Sequence, residues 1–275
     1  MAEPLVRAAS AAATLDKEER YRDFWADVGD GFPDLGAAVS TDLYLRDEQA
    51  LFEEYLPDVE GKRVFKTDLW DEARNTRILR WVAEQGADTF GIDISPPVAI
   101  RARQQFRQRD LRLGSVVSDV RWIPCRDAAF DALYSMGTVE HFDETAEALA
   151  EIHRVLKPGG RAIIGVPNRW DPFLRPLLVA LLYFVGLYHY GFEKCYSRRE
   201  LREMLENVGF RVVGESGILF IPGWLRMLDL ACHAWAPRLT ALTGPAVRFF
   251  AWISGRYPGL RKHGYLLATV VEKAP

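Results

Sequence analysis

The sequence predicts a doubly wound α/β fold with a mostly parallel sheet, and three observations carry that prediction. Strand-like apolar runs alternate with helical patterns from residue 62 to residue 170. Two of the runs, "ALYSM" (132–136) and "RAIIGV" (161–166), are nearly all apolar, as strands buried on both faces are. Helical stretches of about a dozen residues separate the runs, which is what parallel strands need for their crossovers.

Each element follows from its residues. "RVFKTD" reads as the first strand, and "NTRILRWVAEQ" puts Ile78, Leu79, Val82 and Ala83 on one helical face before Gly86 stops it. "TFGIDIS" is the next strand. "PPVAIRARQQFRQRD" opens with prolines suited to a helix's first turn. "LGSVVSDV" and "FDALYSMG" are strands, "DETAEALAEIHRVL" is a helix, and "KPGGRAIIGVPN" is a turn into a strand. "SRRELREMLENVGFRVVGES" reads as helix, glycine stop and strand, and "GYLLATVVEK" as a closing strand. Ahead of them, 15–55 carries apolar residues at mixed helical spacing, broken by "GDGFPDLG", and predicts two or three short helices. The division expected is a helical extension at 1–60, a core at 61–170, and at 171–275 apolar insertions together with the closing helix and last strands.

The chain has 275 residues, 49% hydrophobic, and a net charge of -3. The charges are unevenly placed. From Asp16 to Glu60 fourteen residues are acidic and four basic, whereas from Gly223 to His263 six are basic and Asp229 alone is acidic. Such asymmetry suggests an oriented contact with something anionic. Three widely spaced cysteines, Cys125, Cys195 and Cys232, fit neither a disulfide framework nor a metal site. The start lacks a basic region followed by an apolar core, so no secretory signal is expected. A cytoplasmic setting follows, extended by a peripheral position on the inner membrane face.

The order of elements and four stretches carry a resemblance. "GIDIS" ends a second strand on an acidic residue. "SDVRWIPCRDAAFDALYSMGTVEHF" sets an acid, a proline, "FD" and a strand ahead of Glu-His. "EIHRVLKPGGRAIIGVPN" joins a helix, "LKPGG" and a strand, and "SRRELREMLENVGF" is a closing helix. Over residues 62–215 and the last strand the chain resembles the class I S-adenosylmethionine-dependent methyltransferases, in their small-molecule branch. The resemblance implies a Rossmann-like core with a helical N-terminal extension and inserted helical cover segments, and S-adenosyl-L-methionine as cofactor. It implies that Asp93 accepts from the ribose hydroxyls, that Asp119 holds the adenine amino group between Ile94 and Val120, and that Gly137 to His141 line the sulfur side.

One stretch departs from the family. No glycine occurs from Lys62 to Gln85, where relatives have a glycine-rich turn after the first strand. Lys66 stands near the usual acidic position, and Thr67, Asp68, Trp70 and Glu72 fill the loop. The polar density of "KTDLWDEARNT" suggests a rebuilt site, in which Lys66 pairs with the cofactor's carboxylate and Asp68 or Asp71 with its ammonium. A degenerate pocket, with Lys66 neutralising nearby acids, is the competing expectation.

Methyl transfer needs alignment, and a base only where the acceptor loses a proton. His141 is the candidate base, with Glu140 beside it. His189 and Tyr190, in "YHYGFEKCY", are candidates for holding the acceptor. "SMGTVE" stands where amino-methylating relatives carry an "NPPY"-like tetrapeptide, which leans toward oxygen. The uncharged stretch from Pro176 to Phe192 has an apolar part of twelve residues, Leu177 to Tyr188, short of the roughly 20 that span a bilayer. It reads as a lid, an interfacial helix or a re-entrant element. Tryptophans among arginines at 221–263 suit an anionic membrane surface. A hydrophobic or lipid-linked acceptor explains both segments, and nucleic acid is not expected. The alternative is a non-catalytic or non-methylating protein on the same fold, a membrane-peripheral partner of another enzyme. No metal is expected, and the acceptor atom and oligomeric state are left open.

Overall fold

The computed structural model describes residues 19–188, 191 and 193–275. Helix α1 (19–31) and helix α2 (Val39–Tyr55) precede β1 (Arg63–Lys66). Then come α3 (Trp70–Arg74), α4 (Ile78–Glu84), β2 (Asp88–Asp93), α5 (Pro96–Arg107), β3 (Gly114–Val117) and β4 (Phe130–Met136). They are followed by α6 (Thr145–Val155), β5 (Leu156–Pro167), α7 (Arg175–Phe184) and α8 (Arg198–Asn207). The chain closes with β6 (Phe210–Ile218), α9 (Gly223–Trp235), α10 (Thr240–Arg256) and β7 (Leu266–Lys273).

The strands form one seven-stranded sheet in the order β3-β2-β1-β4-β5-β7-β6. β1 to β5 pair in parallel, and β7 lies antiparallel between β5 and β6. Successive side chains serve opposite faces. Val64, Ala132, Tyr134 and Met136 pack with α2, α4 and α5, while Phe65, Phe130 and Leu133 pack with α6 and α8. Both faces of β1 and β4 are therefore covered, which is why Val64 and Phe65 of β1 and most of 132–136 in β4 are apolar. Local signals behave as their chemistry dictates. Pro96 starts α5, the Ser197–Glu200 capping box starts α8, and Gly209, at φ 98°, turns the chain from α8 into β6.

Two expectations change. The turn expected at Lys157–Gly160 is part of β5, with a register shift against β4 between Phe130 and Ala132. Gly159, at φ 73°, sits in that bulge, and a Cβ on Gly160 would come within 3.0 Å of the Asp131 carbonyl. The charge asymmetry is partly satisfied inside the chain. Arg261 pairs with Asp47 at 3.1 Å, and Arg226 Nη1 donates to the Ser40 carbonyl at 3.1 Å. Asp229, the acid of the basic segment, accepts from the Ser40 amide at 2.8 Å. The acidic α2 is thus one of the surfaces that the basic segment meets.

The apolar stretch after β5 becomes α7, ten residues long, or about 15 Å at 1.5 Å per residue. Among the described residues no helix is long and apolar enough to cross a membrane. Leu177, Leu181 and Phe184 of α7, Trp224 and Trp235 of α9, and Leu242, Phe249 and Trp252 of α10 are exposed.

Candidate active site

A cleft of about 690 Å³ opens beyond the carboxyl ends of the parallel strands, the place where such sheets bind ligands. Thr67 and Asp68 follow β1, Asp93 and Ile94 end β2, Ser118, Asp119 and Val120 follow β3, and Gly137 and His141 follow β4. All line it. Tyr21 and Trp25 of α1 form the opposite wall.

Asp93 is 7% exposed, and each carboxylate oxygen has one backbone partner. Leu69 N donates to Oδ2 and Ser95 N to Oδ1, both at 2.8 Å. Burial pushes its pKa up to about 7 despite those two bonds. Each oxygen keeps lone-pair capacity for a further donor in the cleft. Asp119 is engaged by its neighbour: Arg121 Nη2 donates to it at 2.7 Å and Arg121 N at 2.8 Å. Arg121 also reaches Glu144 at 3.0 Å and lies over the Phe142 ring. Ile94 and Val120 supply apolar wall beside these acids.

The glycine-free segment after β1 is held by side chains. Lys66 is 0% exposed, and its ammonium lies 3.2 Å from Asp68 Oδ1 and 3.3 Å from Asp71 Oδ2. Burial alone would depress it, but Asp68, Asp71, Glu72 and Glu48 together hold its pKa above the ordinary lysine value. Asp68 Oδ2 accepts from Thr138 Oγ1 at 2.8 Å, and Thr67 Oγ1 donates to Ser135 Oγ at 2.8 Å. Asn75 donates to Asp71 at 2.8 Å and accepts from Thr41 at 2.9 Å. Glu72 accepts from the Leu79 and Arg80 amides and so caps α4. Burial pushes Glu72 up to about 7. Lys66 therefore lies beneath the cleft, not on its wall. The direct contact between Lys66 and a cofactor carboxylate expected from the sequence does not match this placement, because two carboxylates already enclose the ammonium.

His141 stands on the border between this cleft and a second cavity, together with Trp70 and Gly137. Its ring meets Trp25 edge-on at 5.0 Å. Glu140 is 2% exposed and lines the second cavity only, and burial holds its carboxyl well above the usual range. His189 and Tyr190 lie outside the described residues. Among the described residues no group of histidine, cysteine or carboxylate side chains is placed to hold a metal ion.

Sequence reasoning missed Tyr21, Trp25 and Arg74. Arg74 is buried and donates to the carbonyls of Gly29 at 2.5 Å, Asp30 at 3.0 Å and Phe32. A guanidinium at the last carbonyls of α1 caps that helix and ties it over the cleft. The sequence signal was present in Tyr21, Phe24, Trp25 and Val28, but it specifies only an apolar helix face, not what that face covers.

Residues 56–164 match the family described as a methyltransferase domain. The chain is similar to S-adenosylmethionine-dependent methyltransferases, among them a probable one of Mycolicibacterium smegmatis, 26% identical over 143 residues, 50% of this chain and 49% of that protein. Against the demethylmenaquinone methyltransferase of Thermus thermophilus it is 35% identical over 79 residues, 29% of this chain and 36% of that protein. Against the ubiquinone biosynthesis O-methyltransferase of Xanthomonas axonopodis pv. citri it is 26% identical over 147 residues, 51% of this chain and 61% of that one. The chain thus spans less than two thirds of either relative. The crystal structure of the [4+2]-cyclase SpnF superposes with a TM-score of 0.57 at 22% identity, covering 84% of this chain and 81% of that one, a likeness of fold.

Proposed function

We propose that the protein transfers a methyl group from S-adenosylmethionine to an oxygen of a hydrophobic or lipid-linked small molecule. The observation that carries this reading is the cleft at the strand ends, with Asp93 at the tip of β2 and Asp68 and Asp119 facing the same space. Those acids suit a ligand that presents ribose hydroxyl donors, an ammonium and a sulfonium. The cofactor supplies an activated methyl group.

Asp93 accepts from the ribose hydroxyls, and Ile94 and Val120 flank the adenine. Asp119, steadied by Arg121, takes the adenine amino group on an oxygen's remaining lone pair. Asp68 faces the ammonium, and Lys66, from below, opposes the burial that raises the Asp68 carboxyl. Thr67 and Thr138 orient Asp68, and Gly137 leaves room beside the reacting centre. His141, on the border of the two cavities, accepts the proton of the acceptor's hydroxyl. The relatives named as quinone methyltransferases support a lipophilic acceptor.

The exposed apolar residues of α7, α9 and α10 lie among Arg238, Arg248, Arg256 and Lys262, a composition that fits an anionic membrane surface. Co-sedimentation with phosphatidylglycerol vesicles at low ionic strength, lost as salt rises, is the expected behaviour. Absence of co-sedimentation at low salt removes the membrane part of the reading.

Function is tested by incubating the protein and a bacterial lipid extract with S-adenosylmethionine carrying a tritiated methyl group. Label should enter the organic phase and depend on His141. Folded protein that binds cofactor yet labels nothing would favour a non-methylating role, which the fold also allows.

A further inference from the structure

Three cavities run in series. The cofactor cleft and the second cavity share Trp70, Gly137 and His141 as walls. The second cavity and a groove of about 1070 Å³ between α7 and α9 share Tyr188, Met227 and Leu230. The groove's remaining lining, including Leu178, Leu182, Leu187, Trp224 and Leu228, is apolar. Leu187, Trp224 and Leu228 are exposed, so the groove opens on the same apolar face that carries α7 and α9.

The middle cavity has a different chemistry. Most of its charges are already matched: Arg175 pairs with Glu193 at 2.5 Å, Tyr188 donates to Glu193 at 2.8 Å, and Asp71 faces Lys66. Arg226 is the exception. It is 6% exposed and donates to the Ser40 carbonyl at 3.1 Å, and its guanidinium lies over the Tyr44 ring at 5.0 Å. Among the described residues no carboxylate lies within ion-pair distance of it. A buried cation without an anion is costly, and the deficit is met when an anion arrives. Glu140 lines the same cavity, and its Oε2 has no hydrogen-bond partner.

We propose that the acceptor is an amphiphile whose anionic, oxygen-bearing head lies in the middle cavity between Arg226 and Glu140, and whose apolar chain lies in the groove between α7 and α9. Burial holds the Glu140 carboxyl well above the usual range and so favours its neutral form, which can donate a hydrogen bond to the head where a second carboxylate would repel it. The head's hydroxyl then faces the border formed by Trp70, Gly137 and His141, across which the methyl group must pass. Entry from the exposed end of the groove lets the chain slide in from a membrane without leaving apolar surroundings. This inference rests on the methyl-transfer reading for its direction, but the binding it predicts can be read without any transfer.

The test uses two fluorescent probes of equal chain length, cis-parinaric acid and its alcohol, titrated into the full chain. Wild type should bind the acid at least tenfold more tightly than the alcohol. Arg226→Gln should lose most of that preference and leave the alcohol's affinity within twofold. Leu228→Asp, an exposed change on the groove wall, should weaken both probes at least tenfold. The affinity for S-adenosylhomocysteine, measured in parallel, should be unchanged in both variants. Equal affinity of wild type for acid and alcohol overturns the head-group assignment, and full probe binding by Leu228→Asp overturns the groove. Should Arg226→Gln fail to fold, the wild-type comparison and the Leu228 variant still decide. Loss of S-adenosylhomocysteine binding in wild type would sink the methyl-transfer reading and leave the probe result standing.

Discussion

Replacing Lys66 by methionine removes the cation that faces Asp68 and Asp71 beneath the cleft. Lys66 has no exposed side-chain surface, and the two carboxylates are 3.2 and 3.3 Å from its ammonium. Breaking a buried ion pair by deleting one partner costs about 3–5 kcal/mol, because the remaining charge stays buried. For a protein of this size each kcal/mol lowers Tm by about 2–4 °C, so Lys66→Met should melt about 6–20 °C below wild type. The pH dependence has a definite sign. Burial has already pushed Asp68 up, and loss of the lysine charge raises it further. A raised carboxyl stabilises the fold below its unfolded pKa and loses that contribution as pH rises, so the variant's deficit should be smaller at pH 5 than at pH 8. Adding Asp71→Asn should restore part of the loss, since it removes one uncompensated charge. Differential scanning calorimetry of the single and double variants at both pH values reads all of this. An unchanged Tm together with a large loss of cofactor affinity would refute the reasoning, because it would put the ammonium on the ligand.

Two further outcomes follow from the same geometry. Asp93, pushed up to about 7, is a carboxylate above that pH, so cofactor affinity should fall as pH drops through 7, by up to about tenfold per unit, and Asp93→Asn should flatten the profile in calorimetric titrations. Arg74→Ala unties the carbonyl end of α1 and should cost about 1–3 kcal/mol, read as a lower Tm and as faster proteolysis within 19–31.

The sheet was legible because its signals are local. β4 and β5 carry the apolar runs 132–136 and 161–166, bounded by polar turns, and α5 begins with a proline, signals that need no knowledge of what packs on them. Asp93 and Asp119 were legible as strand-end acids for the same reason, and both line the cleft. The loop after β1 was not. "TDLWDEARNT" contains a five-residue helix, α3, whose existence depends on Asp71, Glu72 and Asn75 finding partners on α2, α4 and β1. Thr41 is 34 residues from Asn75, and Lys66 and Leu79, though only 5 and 7 residues from Asp71 and Glu72, lie on other elements than α3, so no spacing rule reveals them. The same holds for Asp47 with Arg261, where a basic segment read as facing outward in fact reaches an acidic helix far earlier in the chain. Tyr21 and Trp25 belong to this class too, since an apolar helix face does not name the surface it covers.

The central claim, that the cleft at the strand ends holds an adenosyl cofactor through Asp93, is tested most directly by isothermal calorimetry with S-adenosylhomocysteine at pH 8. Wild type should give saturable one-to-one binding, and Asp93→Asn, shown by its melting transition to be folded at the titration temperature, should bind about 10–100-fold more weakly, as loss of hydrogen bonds to a charged group requires. No binding heat to folded wild type, or equal affinity in the two proteins, would contradict it.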